Sequence, residues 1–159
     1  MTPHPCLPAC IRWLERQDLP RVLFIEHACF EYPWTEDDFL SCLKRRNCVS
    51  MVTEECDTIV GFMVYDLHRS SIKLLNFAVD QPWRRRGVGC RMAAALIAKL
   101  SRIGRCEIAL AARETNLGAH LFFRAQGFRA TGVLPAYYRD SGEDAYRMVY
   151  RLPGTMTNS

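Results

Sequence analysis

Asn76-Phe77-Ala78-Val79-Asp80-Gln81-Pro82-Trp83-Arg84-Arg85-Arg86-Gly87-Val88-Gly89 reads as a strand that runs into a basic, glycine-containing turn, with a helix starting at its end. The strand is expected over Ile72 to Val79. In the helix, Val88, Met92, Ala95, Leu96 and Leu100 fall on one face and Gly104 ends it. Glycines let a backbone bend tightly and approach a ligand closely. The first amides of a helix lack intrahelical acceptors and sit at the positive end of its dipole, so the turn is a seat for an anion, of the kind a pyrophosphate needs. It is not a P-loop, because Gly-Lys-Ser/Thr is absent, and it is not the G-x-G-x-x-G dinucleotide fingerprint. A solvated basic turn before an ordinary helix would read the same way.

Working outward, Asp18 is placed to cap a first helix with Pro20 in its first turn and Leu19, Val22, Leu23 and Cys29 as its apolar stripe. Pro33-Trp34 breaks it. Thr35 to Asp38 resembles a capping box for a second helix that runs to about Arg46. Val49 to Thr53 and Thr58 to Leu67 read as strands joined by a short acidic turn. Ile59, Met63 and Leu67 line one face of the second, and Val60, Phe62 and Val64 the other, which predicts a central strand. Beyond the 88–104 helix, Cys106 to Ala112 is a strand. Asn116 to Gln126 is a helix closed by Gly127 with a Phe128 contact. Phe128 to Val133 and Ala145 to Leu152 are the last strands. The pattern, six strands and four helices, predicts a mixed α/β (α+β) domain with one sheet.

The 159 residues predict one domain over 1–159, with 1–9 a loose lead-in and 153–159 a frayed tail. No run reaches the ~18 apolar residues of a membrane span. Met1 to Cys10 carries no basic segment and no long apolar run, so a secretory signal is not expected and a cytoplasmic location follows by default. Twenty-one basic against 17 acidic residues, a net +4, is too weak a bias to argue for nucleic acid. The eight cysteines, at 6, 10, 29, 42, 48, 56, 90 and 106, include no C-x-x-C pair, and the four histidines are scattered. No metal site is expected, and free thiols in a reducing compartment are.

Arg84-x-x-Gly87-x-Gly89 is similar to the Q/R-x-x-G-x-G/A signature of the GNAT superfamily of N-acetyltransferases. Asn116-x-x-Ala119-x-x-x-Phe123-x-x-x-Gly127-Phe128 resembles that family's later N-x-x-A-x-x-x-Y-x-x-x-G-F pattern. Cys29 to Trp34 resembles the F-P-W segment, and Tyr137-Tyr138 with Glu143-Asp144-Ala145 the Y-Y…E-D-A segment, of its ribosomal-protein alanine N-acetyltransferase (RimI-type) branch. The resemblance implies the GNAT fold, one mixed central sheet of about seven strands flanked by about four helices, with acetyl-CoA as cofactor and direct attack of an amine in a ternary complex. The implied acceptor is a protein or peptide N-terminus, a ribosomal protein among the possibilities. Phe77, Ala78 and Val79 would pair with the pantetheine arm, and an amide there would polarise the thioester. Arg84, Arg85, Arg86, Gly87, Val88 and Gly89 would hold the pyrophosphate, and Asn116 and Phe123 would line the cofactor. Pro33, Trp34, Tyr137 and Tyr138 would contact the acceptor.

The chain departs from that pattern where protons move. The branch's acidic strand residue falls on Ala111, and its tyrosine on Phe123. Tyr138, Glu31 and His120 are the candidate substitutes, with Tyr138 favoured as a clamp on the peptide over a base. A base is worth roughly 10²–10⁴-fold. An α-amine, with a pKa of about 7.7–8.0, needs it far less than a lysine amine near 10.4. An acetyl-CoA-binding module without turnover and a small-amine acetyltransferase are the alternatives. An RNA-contacting module using Arg84–Arg86, Arg45 and Arg46 ranks last.

Overall fold

The computed structural model describes residues 9–154. Thr58–Leu67 (β3) is buried at every position but its two ends, with Val60, Phe62 and Val64 on one face and Ile59 and Met63 on the other, as a strand between two neighbours must be. The sheet order is β1-β2-β3-β4-β5-β7-β6. The remaining strands are Cys10–Trp13 (β1), Cys48–Glu55 (β2), Ser71–Val79 (β4), Glu107–Arg113 (β5), Arg129–Leu134 (β6) and Ala145–Arg151 (β7). The helices are Leu19–Cys29 (α1), Glu36–Lys44 (α2), Val88–Arg102 (α3) and Leu117–Ala125 (α4). β5 runs parallel to β4 and antiparallel to β7, so the sheet is mixed. The β4–β5 register covers Ser71↔Glu107 through Leu74↔Leu110, while β4 continues to Val79 and β5 to Arg113.

The chain packs as two compact units. One holds the residues up to Tyr65 with Asn76–Met92; the other holds Asp66–Leu75 with the residues from Ala93 on. β3, β4 and α3 contribute residues to both. In the first unit, Gly61 on β3 is where close packing forbids a side chain. A Cβ there would stand 2.9 Å from the Ala78 carbonyl oxygen and 2.9 Å from the Met92 sulfur, so its absence seats the start of α3 on the sheet.

Local chemistry explains most boundaries. Thr35 accepts from the Asp38 amide (3.2 Å) while the Asp38 carboxylate accepts from the Thr35 amide (2.8 Å), the expected reciprocal cap. Cys56 and Asp57 both take positive φ, 52° and 60°, the two-residue turn that matches strand twist between β2 and β3. Both late helices end in the same motif. Arg105 and Gly104 amides return to Leu100 and Ser101 carbonyls after α3, and Phe128 and Gly127 amides return to Phe123 and Arg124 carbonyls after α4.

Three expectations are corrected. Asp18 stands before α1 but does not cap it; its carboxylate takes the Arg12 guanidinium (2.8 and 2.9 Å) and the Glu15 amide (2.7 Å), and that cation holds its pKa below the usual carboxylate range. The strand β1, which supplies Arg12, was not expected at all; its four residues are too short to carry a period. Cys56 is disulfide-bonded where free thiols were expected, while Cys10, Cys29, Cys42 and Cys106 are free. The lead-in and the tail fall outside the described residues except Ala9, Pro153 and Gly154. Among the described residues no helix is long and apolar enough to cross a membrane.

Candidate active site

Within the first unit, β4 delivers its last residues to a turn anchored by a buried aspartate. Asp80 donates its amide to the Val60 carbonyl (2.8 Å), and its carboxylate is paired with Arg21. The Trp83 amide returns to the Asp80 carbonyl (2.9 Å), closing a 3-10 turn over Gln81–Trp83. Arg84 then folds back: its Nε donates to the Val79 carbonyl (3.1 Å) and its Nη2 to the Cys29 sulfur (3.3 Å). Arg85 sits at φ 63° and Gly87 at φ 80°. A left-handed arginine is a strained choice, costing about 1–3 kcal/mol, and such strain gathers where a backbone is shaped for a ligand. Arg84, Arg85 and Arg86 are exposed, with the Arg86 guanidinium 5.1 Å over the Trp83 ring. A Cβ on Gly87 would meet nothing within 4 Å, so the space beside that backbone is open. α3 begins at once, its first return bond running from the Arg91 amide to the Gly87 carbonyl (3.0 Å). Val88 is buried and Gly89 half-buried. The turn thus joins open backbone, a helix N-terminus and guanidinium groups, the donor set a pyrophosphate accepts.

Asn76 and Ala78 are buried, and Phe77 and Val79 half-buried. Across the same unit, the connection between α1 and α2 holds Pro33 and Trp34 half-buried and Glu31 exposed. Trp34 packs on Phe39 (5.1 Å between ring centroids) and Phe39 on Phe62 (5.6 Å). A residue not singled out in the sequence lies beneath them. Glu26, 2% exposed, accepts from the Trp34 amide (3.0 Å) and from the Asn76 side-chain amide (2.9 Å). Its signal was present: Leu19, Val22, Glu26 and Cys29 share the α1 stripe, and a carboxylate among apolar residues at that spacing calls for a buried partner.

The second unit holds the other candidates. The Tyr138 hydroxyl donates to the carbonyl of Ala111 (3.1 Å), a half-buried residue of β5. Arg113 stacks its guanidinium 3.8 Å over the Tyr138 ring and binds Asp140 through both terminal nitrogens (3.0 and 2.7 Å). Burial pushes the Tyr138 phenol up to about 12, against the pull of the Arg113 cation. The exposed Tyr137 meets the Tyr138 ring edge-on at 5.0 Å. Asn116 caps α4 by accepting from the Ala119 amide (3.1 Å). His120 Nε2 lies 2.8 Å from the Arg113 carbonyl, so that nitrogen carries the hydrogen and Nδ1 is the proton-accepting atom. Its ring stands edge-on to Tyr146 at 5.1 Å. Phe123 is buried between Phe122 (5.0 Å) and Phe128 (5.2 Å), where it forms the apolar contact of the α4 end.

The described residues thus form a basic, glycine-containing turn at the start of α3 in one unit and a tyrosine–arginine–carboxylate cluster in the other. The sequence model of the acetyltransferase (GNAT) family matches residues 10–128. The [ribosomal protein bS18]-alanine N-acetyltransferase of Escherichia coli K12 is 29% identical over 145 residues, covering 90% of this chain and 96% of that protein. The crystal structure of the Escherichia coli ribosomal-protein-S18-alanine N-acetyltransferase superposes with a TM-score of 0.82 at 26% identity, over 95% of this chain and 98% of that one. Ard1 from Thermoplasma volcanium does so with a TM-score of 0.82 at 28% identity, over 91% and 97%. With a family match over most of its length and a relative aligned nearly end to end, the chain belongs to the acetyltransferase (GNAT) family and is an N-acetyltransferase of it.

Proposed function

We propose that this acetyltransferase moves the acetyl group of acetyl-CoA to a protein N-terminal α-amine in the cytoplasm, with a ribosomal protein as one acceptor. The observation that carries the reading is the Arg84–Gly89 turn, where the strained Arg85, the open Gly87 and the start of α3 offer donors to a pyrophosphate. The α-amine acceptor is supported by the named activity of the Escherichia coli relative. Acetyl-CoA supplies an acyl group already activated as a thioester. Arg85, Arg86 and the amides of Gly87, Val88 and Gly89 hold its phosphates, while Arg84 is committed to Val79 and Cys29 and stiffens the turn. The backbone of Phe77, Ala78 and Val79 pairs with the pantetheine arm and polarises the carbonyl. Asn116 offers its side-chain nitrogen, since its oxygen caps α4, and Phe123 supplies an apolar wall.

Proton transfer is where the chain is thin. Tyr138, with its phenol near 12 and its hydrogen given to Ala111, holds a peptide rather than taking a proton at neutral pH. Tyr137, Pro33 and Trp34 complete the acceptor contacts. His120 Nδ1 and the exposed Glu31 are the remaining acceptors of a proton, Glu31 through water. An acceptor that is already partly neutral suits such a site. A mass-spectrometric screen of N-terminal peptides with acetyl-CoA tests the function directly. In matched peptides, free N-termini are expected to be acetylated at least about 100-fold faster than internal lysines, following the 2–3 unit gap between the amine pKa values. The rate should climb between pH 6.5 and 8.5 as the α-amine deprotonates, with no limb from Tyr138, which stays protonated throughout. Faster acetylation of lysine would overturn the α-amine assignment.

Tyr138→Phe separates clamp from base. The clamp reading expects a raised peptide KM, an unchanged pH profile and about 1 kcal/mol of lost stability from the Ala111 carbonyl bond. A collapse of kcat with KM unchanged would make Tyr138 a proton carrier. The second reading, acetyl-CoA binding with little turnover, is favoured by Ala111 and by Phe123, whose ring is committed to Phe122 and Phe128. Binding by calorimetry with no product from any peptide in the screen would select it.

A further inference from the structure

We infer that Glu26 is a positioning residue, clipping the Pro33–Trp34 connection to Asn76 and so fixing the acceptor-side wall of the site. The inference rests on the acetyl-transfer reading and deepens it. One carboxylate oxygen receives the Trp34 backbone amide at 3.0 Å, and the other receives the Asn76 Nδ2 at 2.9 Å. The first partner belongs to the connection between α1 and α2, and the second precedes Phe77 on β4. Glu26 therefore links, through two bonds, the segment assigned to the acceptor and the segment assigned to the cofactor.

Two physical arguments favour positioning over plain stability. A buried carboxylate facing two neutral donors, with no cation hydrogen-bonded to it among the contacts of the described residues, is a costly way to fill an apolar stripe; a leucine or methionine would pack there without the desolvation penalty. Burial raises the Glu26 carboxyl, and of the nearby charged groups His27 lowers it while Asp38 raises it. A raised folded-state pKa means that the stability gained with protonated Glu26 is lost as pH rises through that pKa, so ionising Glu26 costs the folded chain stability. The geometry also demands two acceptors at once. A carboxylate has two acceptor oxygens, whereas an amide of the same shape has one oxygen and a donor nitrogen.

That asymmetry gives the test. In Glu26→Met neither acceptor remains, so the Trp34 amide and the Asn76 side-chain nitrogen both lose their partner at nearly constant volume. In Glu26→Gln/Asn76→Asp the donor and acceptor are exchanged: position 26 donates, position 76 accepts, and the Trp34 amide keeps its oxygen. Three quantities are measured on full-length chain: Tm, hydrogen exchange at the Trp34 amide, and kcat and KM for an accepted N-terminal peptide. Glu26→Met is expected to hold acetyl-CoA as wild type does, to expose the Trp34 amide to exchange, and to raise the peptide KM about tenfold, with kcat changed less. The exchanged pair should recover peptide KM to within about twofold and recover Trp34 protection. Peptide KM unchanged in Glu26→Met, or left high in the exchanged pair after Trp34 protection has returned, overturns the positioning role. A single variant too unstable to assay leaves the exchanged pair to decide, because its bonds are complete. Wild type that binds acetyl-CoA but acetylates no N-terminal peptide would instead sink the acetyl-transfer reading, and the Trp34 exchange data would still report whether the clip exists.

Discussion

Gly87→Val is expected to abolish measurable acetyl-CoA binding while leaving a folded chain. The residue sits at φ 80°, and a Cβ there would touch nothing of the protein within 4 Å. The folded state therefore suffers backbone strain without a clash. That strain is about 1–2 kcal/mol for an ordinary side chain and more for a β-branched one. Domain stabilities of about 5–15 kcal/mol absorb it. In the proposed site, the open space beside Gly87 is the space a phosphate would enter to reach the amides of the turn. Filling it forfeits charge-assisted hydrogen bonds worth about 1.5–3 kcal/mol each, and losing two weakens binding by at least about 100-fold. Gly104 provides the control. It has φ 68° and equally open surroundings, but it follows the other end of α3. Gly104→Val should lower Tm comparably and leave acetyl-CoA binding intact. Calorimetry on both variants decides: if Gly87→Val binds acetyl-CoA within about threefold of wild type, the Arg84–Gly89 turn is not the phosphate seat.

What was legible in the sequence was whatever a short range of residues decides. The Thr35–Asp38 cap, the Gly127–Phe128 helix end and the two apolar faces of β3 each depend on residues within one turn or one strand, and each formed as expected. The turn from Arg84 to Gly89 and the helix after it were legible for the same reason, since glycine, arginine and the start of α3 are consecutive. What was hidden depends on partners far along the chain. Asp18 had the residue type and place of a cap, but Arg12 on an unforeseen strand took its carboxylate. Glu26 lies 50 positions from Asn76, and nothing local says that the two meet. Arg113 likewise meets Asp140 and the Tyr138 ring across 27 and 25 positions, and partial burial there keeps the Tyr138 hydroxyl protonated against the pull of the Arg113 cation. Titration behaviour is set by such long-range neighbours, so the sequence could favour Tyr138 as a clamp over a base and could not show the burial that keeps its phenol protonated.

Ala111→Glu is expected to raise turnover on an accepted N-terminal peptide by about tenfold or more. A well-placed base is worth about 10²–10⁴-fold, and the surroundings hold the gain toward the lower end of that range. Ala111 stands opposite Arg147 in the β5–β7 register, and Arg113 is two residues further along the same face. Arg147 donates to the Thr131 hydroxyl (3.1 Å) and lies 3.7 Å from a Glu107 oxygen, while Arg113 is held by Asp140. A carboxylate added between two guanidinium groups is ionised but weakened as a base, because opposite charges stabilise its charged form. Adding Arg147→Leu to Ala111→Glu should therefore raise turnover further and move the acidic limb of the pH profile upward, although Arg147→Leu alone offers no base and should do neither. Phe123→Tyr should add little, since a thiolate with a conjugate pKa of about 8.5 leaves without much help. It also carries a stability cost, because the new hydroxyl enters a ring cluster of Phe122, Phe128 and Tyr150 and needs a partner there. Melting curves beside the kinetics separate that cost from catalysis. If folded Ala111→Glu binds acetyl-CoA and is no faster than wild type, with or without Arg147→Leu, then the β5 position does not face the acceptor amine. Proton removal would then run through His120, Glu31 or solvent, and His120→Asn would be the variant that loses rate.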